Sequence, residues 1–264
     1  MNILITGSDS YLGKSLSQFL LRQGHNIGYF NRNSYSEFIY NFNPDIVIHT
    51  ICCYGRNNES HKEIYDSNLI TGINIINDIR LLEKSVTFIN AGTSLNKDTN
   101  LYSLSKNQFK EYGKHISNDK FKFINMNLQH FFGAGAKNNF ISFLINKFLQ
   151  NEPVPLTNGL QKRDFIYIED VIFAFDAVIQ NKDILYNYED IDVGSGVTTS
   201  IKEIVELVHN LCDSSSDLQF GKIIDNNTDT EMKANTAKLE SLNWKCNIDL
   251  ETGLKYTLEN HNGK

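Results

Sequence analysis

The opening stretch MNILITGSDSYLG constrains this chain most. Met1–Thr6 is an apolar strand pattern that ends in Gly7, and helical spacing begins at Tyr11, with Leu12, Leu16, Phe19 and Leu20 along one face. A strand that turns through glycine into an amphipathic helix needs a parallel partner beside it to bury both elements. The same unit recurs. Strands are predicted at His25–Phe30, Pro44–Cys52, Val86–Asn90 and Phe121–Asn127, and helices at Ile64–Leu82 and Tyr102–Ile116. PDIVIHTIC is almost continuously apolar, as a strand covered on both faces should be. This alternation predicts an α/β fold, a doubly wound parallel sheet with helices on both sides. At 264 residues and 41% apolar composition, the chain can fill one large domain or a large and a small one.

After Gly133 the pattern changes. Helices are predicted at Asn139–Leu149, Glu169–Gln180, Ile201–Cys212 and near Leu250–Glu259, with short extended pieces at Pro153–Leu156 and Asp164–Tyr167. We therefore expect 1–133 to form the sheet core, with later segments returning to it. We expect 134–264 to form mainly a smaller, interleaved substrate lobe.

Several classes are set aside. A net charge of −6 without a basic cluster speaks against a nucleic-acid binder. No run of about 18 apolar residues exists, so no membrane span is expected. The N-terminus has no basic segment followed by an apolar one, so no secretory signal is expected and the location expected is cytoplasmic. Cys52, Cys53, Cys212 and Cys246 form no C-x-x-C pair, and no metal site is expected. They read as reduced thiols that pack like small hydrophobes.

The segment from Gly7 to Gly13 has the position of a dinucleotide loop, directly after a first strand and opening a first helix. Gly7 permits the tight turn and Gly13 close helix–strand packing. The start of the helix, at Tyr11 and Leu12, offers amide groups and the positive end of its dipole to a pyrophosphate. Ser10 stands where a middle glycine is expected, and its hydroxyl is small enough to meet a phosphate. The second strand ends in Phe30-Asn31-Arg32. An acid at that tip would accept from a ribose 2′-hydroxyl; Arg32 instead suits a 2′-phosphate, so NADP(H) is favoured over NAD(H). An ordinary solvated arginine is the competing reading.

The strongest chemical signal is Tyr102-Ser-Leu-Ser-Lys106. Residues four apart on one helix share a face, and an ammonium there would lower a phenol that starts near 10. That makes Tyr102 a proton donor or acceptor. The turn Ala91-Gly-Thr93-Ser94 follows a predicted parallel strand, where ligands bind in such sheets. A hydroxyl at that place can hydrogen-bond the reacting oxygen.

Taken together, the chain resembles the extended short-chain dehydrogenases/reductases, the Rossmann-fold epimerases, dehydratases and reductases of nucleotide sugars. Thr6–Gly13 matches their T-G-x-x-x-x-x-G loop, and Asn68–Asn74 fits N-x-x-G-x-x-N in part. Asn127-Leu-Gln-His130-Phe-Phe-Gly133-Ala-Gly135 is similar to R-L-x-N-V-Y-G-P-G. Arg163-Asp-Phe-Ile-Tyr-Ile-Glu-Asp170-Val is similar to R-D-F-I-y-v-x-D-V, and Asp192–Gly196 and Leu242-Asn-Trp244 also match. The resemblance implies a catalytic set of Thr93, with Ser94 as fallback, Tyr102 and Lys106. It implies substrate contacts from His130, Asn139 and Arg163, a structural Asp170, and Lys106 on the cofactor ribose. Departures are Asn127 for arginine, Phe132 for tyrosine, and only eight residues between Thr93 and Tyr102. The late phosphate-binding arginine has no match among the residues around Asn227 and Glu231.

The family's dehydratases carry an Asp-Glu pair after the catalytic Thr, and its epimerase/reductases a nearby Cys. Ser94-Leu95-Asn96 supplies neither, which leaves hydride chemistry at C4. The expected activity is NADPH-dependent reduction of a 4-keto, nucleotide-diphosphate-linked deoxysugar for surface polysaccharide, as in the 4-ketoreductases that make CDP-linked abequose. The alternatives are a 4-epimerase holding NAD tightly, and a dinucleotide-binding sensor or scaffold without catalysis. A homodimer is the default expectation.

Overall fold

The computed structural model describes residues 1–30, 36–137, 139–224 and 230–262. In chain order its elements begin with β1 (Asn2–Thr6), α1 (Tyr11–Arg22), β2 (Asn26–Phe30), α2 (Ser36–Phe42), β3 (Ile46–His49) and α3 (His61–Tyr65). A π-helical turn (Asp66–Ile70) runs into α4 (Thr71–Ile79), and β4 (Val86–Ala91), α5 (Leu101–Ile116), β5 (Phe121–Leu128), β6 (His130–Phe132) and α6 (Phe140–Leu149) follow. Next come β7 (Val154–Pro155), β8 (Lys162–Tyr167), α7 (Ile168–Gln180), β9 (Tyr188–Val193), β10 (Thr198–Ser200) and α8 (Ile201–Leu211). The chain closes with β11 (Leu218–Gln219), β12 (Glu231–Met232), α9 (Ala237–Ser241) and α10 (Leu250–Asn262). No helix among the described residues is long and apolar enough to cross a membrane.

The chain divides into two units. The first comprises Met1–Leu128 and Val178–Ile191. Its six-stranded sheet has the order β2-β1-β3-β4-β5-β9, with parallel pairing from β2 through β5. On one face Leu4, Val47, Phe88 and Phe123 meet Ile75, Ile76 and Ile79 of α4 and Phe109 of α5. Ile3, Ile5, Ile46, Ile48 and Ile89 alternate onto the other face and are equally buried. Burial on both faces is why these strands are apolar throughout. α4 approaches α5, and α5 approaches β5, closely because the contact positions are glycine. A Cβ on Gly72 would lie 2.3 Å from the Phe109 ring, and one on Gly113 would lie 2.4 Å from that of Phe123.

The second unit comprises Gln129–Ala177 and Asp192–Lys264. β8 is its hub, pairing antiparallel with β10 and parallel with β12 and β6. β7 and β11 form a separate parallel pair. Trp244 is buried and donates its Nε1–H to the Asp170 carbonyl at 3.0 Å.

The predicted Rossmann-type α/β class is the observed one, and three local readings change. β3 stops at His49, so Cys52 and Cys53 lie past the sheet rather than within a strand. The helix expected over Ile64–Leu82 runs from His61 to Ile79 and contains a π turn at Asp66–Ile70. α2, α9 and β10 to β12 were not expected, because short elements are defined by their partners and show too little periodicity, and β9 was not expected because its acidic YEDIDV pattern is only partly apolar.

Candidate active site

The loop after β1 is built by glycine and a serine cap. Gly7 has φ +74°, where a side chain is strained. A Cβ there would lie 2.8 Å from the Ile51 amide, and one on Gly13 would lie 2.3 Å from the Gly7 carbonyl oxygen. Ser10 caps α1, its Oγ accepting from the Gly13 amide at 3.0 Å, and it also lies 3.1 Å from Thr50 Oγ1. Its hydroxyl is thus engaged within the loop. Tyr11, Leu12 and Gly13 form the first turn of α1, with the Leu12 side chain buried in the core. Asn31 and Arg32 lie outside the described residues.

A second group forms where β4 meets α5. β4 ends at Ala91; the Gly92 amide then donates to the Met126 carbonyl at 2.8 Å, and Ser94 to Leu128 at 3.2 Å. These bonds fix Thr93 at the carboxyl end of the strand. α5 starts one residue before Tyr102 because Asn100 caps it in a reciprocal box with Ser103. Asn107, on the next turn, donates to the Leu95 carbonyl at 3.1 Å and ties the Thr93 turn to the helix. The expected trio is thereby assembled: the Thr93 side chain hydrogen-bonds the Tyr102 hydroxyl, and Lys106 follows one turn on.

The electrostatics differ from the sequence expectation in one respect. Burial raises the Tyr102 phenol above its ordinary 10 and Cys52 adds to the rise, whereas the Thr93 hydrogen bond and the positive charge of Arg56 oppose it. The tuning expected from Lys106 comes here from Thr93 and Arg56. Lys106 is 2% exposed, its Nζ has no hydrogen-bond partner, and burial lowers its pKa to about 8. Burial of an ammonium without a partner is costly, and such groups mark places built for a ligand.

Two neighbours, Tyr54 and Arg56, were invisible in the sequence, and a third, Asn68, was only hinted at. The Tyr54 ring lies 4.8 Å from that of Tyr102, and Arg56 lies 4.9 Å above Tyr54. Asn68, wholly buried in the π turn, clamps Cys53 from both sides. It accepts from the Cys53 amide at 2.7 Å and donates to its carbonyl at 2.9 Å and to Ser105 Oγ at 3.0 Å. π turns recur at functional sites. Only the partial N-x-x-G-x-x-N match pointed towards Asn68.

In the second unit, His130 lies on β6 with its ring 5.4 Å from Phe165. Asn139 caps α6, accepting from the Ser142 amide at 2.8 Å. Arg163 is buried on β8 and donates to the Lys162 carbonyl at 2.8 Å. Its neighbour Asp164, wholly buried, accepts from the Ser195 amide and hydroxyl at 2.7 Å each, from Gly196 at 3.0 Å and from Ala234 at 3.1 Å. Beside that pinned loop is an open depression of about 440 Å³ lined by Gly196, Lys233, Ala234, Asn235 and Thr236. Asp170 accepts from the Asn247 and Ile248 amides, a structural use.

With this geometry in hand, known proteins fall into place. The model of the NAD dependent epimerase/dehydratase family matches residues 3–194, more than two thirds of the chain. The chain belongs to that family. It is an NAD(P)-dependent oxidoreductase or epimerase of the nucleotide-sugar epimerase/reductase type. Across 284 aligned residues it is 28% identical to the CDP-abequose synthase of Salmonella muenchen, covering 97% of this chain and 96% of that protein. In fold it is similar to the UDP-glucose 4-epimerase of Thermotoga maritima, solved with UDP-glucose. The TM-score is 0.86 at 17% identity, covering 100% of this chain and 99% of that one. RMD of Pseudomonas aeruginosa, solved with NADPH, has a TM-score of 0.82 at 17% identity, covering 99% of each chain.

The residues present fit the dinucleotide that the family implies. The Gly7–Gly13 cradle has room only for backbone, and the buried Lys106 ammonium lacks a partner that a ribose hydroxyl would supply.

Proposed function

We propose that the protein reduces the 4-keto group of a nucleotide-diphosphate-linked deoxysugar with NADPH. The observation that carries the reading is the trio itself: a half-buried Tyr102 hydrogen-bonded to the buried Thr93, with the buried, unpartnered Lys106 on the same helix face. Such a set moves one proton to or from an oxygen and offers no second acid or base for elimination. Likeness over nearly the full length to a CDP-abequose synthase favours a 4-ketoreductase, and Arg32 at the predicted ribose tip favours NADPH.

Bound NADP(H) supplies the hydride that reaches the sugar's C4. The protein's own part is proton transfer and placement. Tyr102 gives its phenolic proton to the developing alkoxide, and Thr93 hydrogen-bonds that oxygen as charge accumulates. Lys106 holds the cofactor ribose through its Nζ. Gly7, Ser10, Tyr11, Leu12 and Gly13 line the pyrophosphate, and Asn31 and Arg32 take the adenosine end. We assign His130, Asn139 and Arg163 to the nucleotide diphosphate sugar.

The test begins with mass spectrometry of whatever small molecule leaves the purified protein on denaturation, followed by titration with NADPH and NADH. Empty protein with much tighter NADPH binding fits a reductase with exchangeable cofactor. Protein full of NAD⁺ that dialysis cannot remove means a 4-epimerase. Oxidation of CDP-abequose by NADP⁺, the reverse reaction, then probes the chemistry. If Tyr102→Phe keeps full turnover, the assignment of the acid is wrong.

A further inference from the structure

A row of polar side chains crosses the sheet of the first unit at right angles to its strands. Thr6, His49, Asn90 and Asn125 are successive register partners on β1, β3, β4 and β5, so their side chains share one face. Two residues earlier on that face the equivalent row is Leu4, Val47, Phe88 and Phe123, part of the apolar core. Polarity switches at the step nearest the carboxyl edge, and it switches while still buried: none of the four polar residues is more than 1% exposed.

Hydrogen bonds join the row in two segments, one from Thr6 to His49 and one from Asn90 to Asp190. Thr6 Oγ1 lies 2.7 Å from His49 Nδ1. Asn90 Nδ2 donates to Asn125 Oδ1 at 2.7 Å, and Asn125 Nδ2 donates to Asp190 Oδ1 and Asn127 Oδ1 at 2.8 Å each. Asp190 Oδ2 meets Lys110 Nζ at 3.3 Å, one turn beyond Lys106 on α5. His49 Nε2 and Asn90 Oδ1, on adjacent strands, are each without a partner, so no hydrogen bond joins the two segments. Burial keeps His49 neutral, and the charge of Lys106 works in the same direction.

Such a row is expensive where leucine and valine would serve, and it fixes direction in a way an apolar contact does not. Its members touch the supports of all the reacting groups. Thr6 leads into the Gly7 turn. The Asn90 carbonyl accepts from Gly92 at 3.0 Å, and a Cβ on Gly92 would lie 2.6 Å from Asn125 Oδ1, so the Thr93 turn rests directly on the row. Asp190 grips α5 through Lys110.

We propose that this row is a positioning device which sets the Thr93 turn against the helix that carries Tyr102 and Lys106, with Asn90 and Asn125 as its positioning residues. It rests on the roles given to Thr93, Tyr102 and Lys106 above. Apolar replacement keeps the core filled while removing the hydrogen bonds, so it separates position from packing.

The experiment measures kcat and KM for oxidation of CDP-abequose by NADP⁺, with separate NADPH titration and thermal midpoints, on Tyr102→Phe, Asn90→Leu and Lys110→Met. Asn90→Leu is expected to lower kcat tenfold or more. NADPH affinity should stay within threefold, and the thermal midpoint should fall only by the few degrees that an unpartnered Asn125 Oδ1 costs, too little to unfold the protein at the assay temperature. Lys110→Met, at the open end of the row, is expected to lower kcat three- to fivefold with KM unchanged. A native Asn90→Leu protein with kcat within twofold of wild type overturns the proposal, as does a kcat loss that only follows a fall in midpoint. If Asn90→Leu does not fold, an unchanged kcat in Lys110→Met overturns it. Full turnover in Tyr102→Phe instead removes the assignment of the reacting groups, a different failure.

Discussion

Replacing Lys106 by methionine should abolish turnover and yet stabilise the protein freed of dinucleotide. The ammonium is buried without a partner, and burial brings its pKa from 10.5 to about 8. At ~1.36 kcal/mol per pKa step, holding the charge costs roughly 3 kcal/mol of folding free energy at neutral pH. Methionine keeps the length and apolar stem of the side chain, so little packing is lost. The sign follows from linkage. The folded pKa lies below the unfolded one, so between them the unfolded chain holds more protons and stability rises with pH. The penalty is complete below pH 8 and fades as pH climbs towards 10.5. The variant's advantage should therefore be about 1–3 kcal/mol at pH 7, after allowance for imperfect packing, and should shrink steadily on the alkaline side. Urea unfolding of both proteins at pH 7 and at about pH 9.5 measures it. A variant less stable than wild type at pH 7, or an advantage that does not change with pH, refutes the reasoning.

Other perturbations act on different parts. Gly72→Ala places a Cβ 2.3 Å from the Phe109 ring and should cost about 1–3 kcal/mol by overpacking, read as a lower urea midpoint. Wild-type stability would mean that α4 and α5 separate freely. Asp164→Ala removes the acceptor of four hydrogen bonds, and should cost roughly 3–5 kcal/mol and speed proteolysis at Ser195–Gly196. Unchanged proteolysis would show that the loop holds itself. Arg32→Ser should weaken NADPH about tenfold and leave NADH nearly unchanged, because only the former carries a 2′-phosphate; equal losses, measured by fluorescence titration, would exclude that role.

The parallel α/β core was legible because its signals are local. Apolar strands, the Gly7–Gly13 turn and the helical faces are properties of contiguous residues, and each matched element begins or ends close to where the pattern placed it. β10 to β12 were not legible, since a two- or three-residue strand exists only through the partner it pairs with, and β9, at six residues, hid behind the acidic pattern YEDIDV. β3 read too long because the apolar run continues to Cys52, while backbone hydrogen bonding to the neighbouring strand ends with the Thr50 amide, which donates to Thr6.

The candidate site divides in the same way. Tyr102 and Lys106 are four apart on one helix, and Thr93 follows a strand end, so sequence alone singled out the groups that we propose carry the proton. Tertiary structure alone decided what surrounds them. Tyr54 and Arg56 reach Tyr102 from a loop nearly fifty residues away. Asn68 meets Cys53 only because a π turn rotates it inward. The row from Thr6 to Asp190 spans five strands, and its outer steps, β1 to β3 and β5 to β9, join strands that are not consecutive in the sequence. Spacing along a helix or strand fixes which residues share a face, whereas register between strands is settled by the packing of the whole sheet, and so are the burial and charge environment that set each group's chemistry.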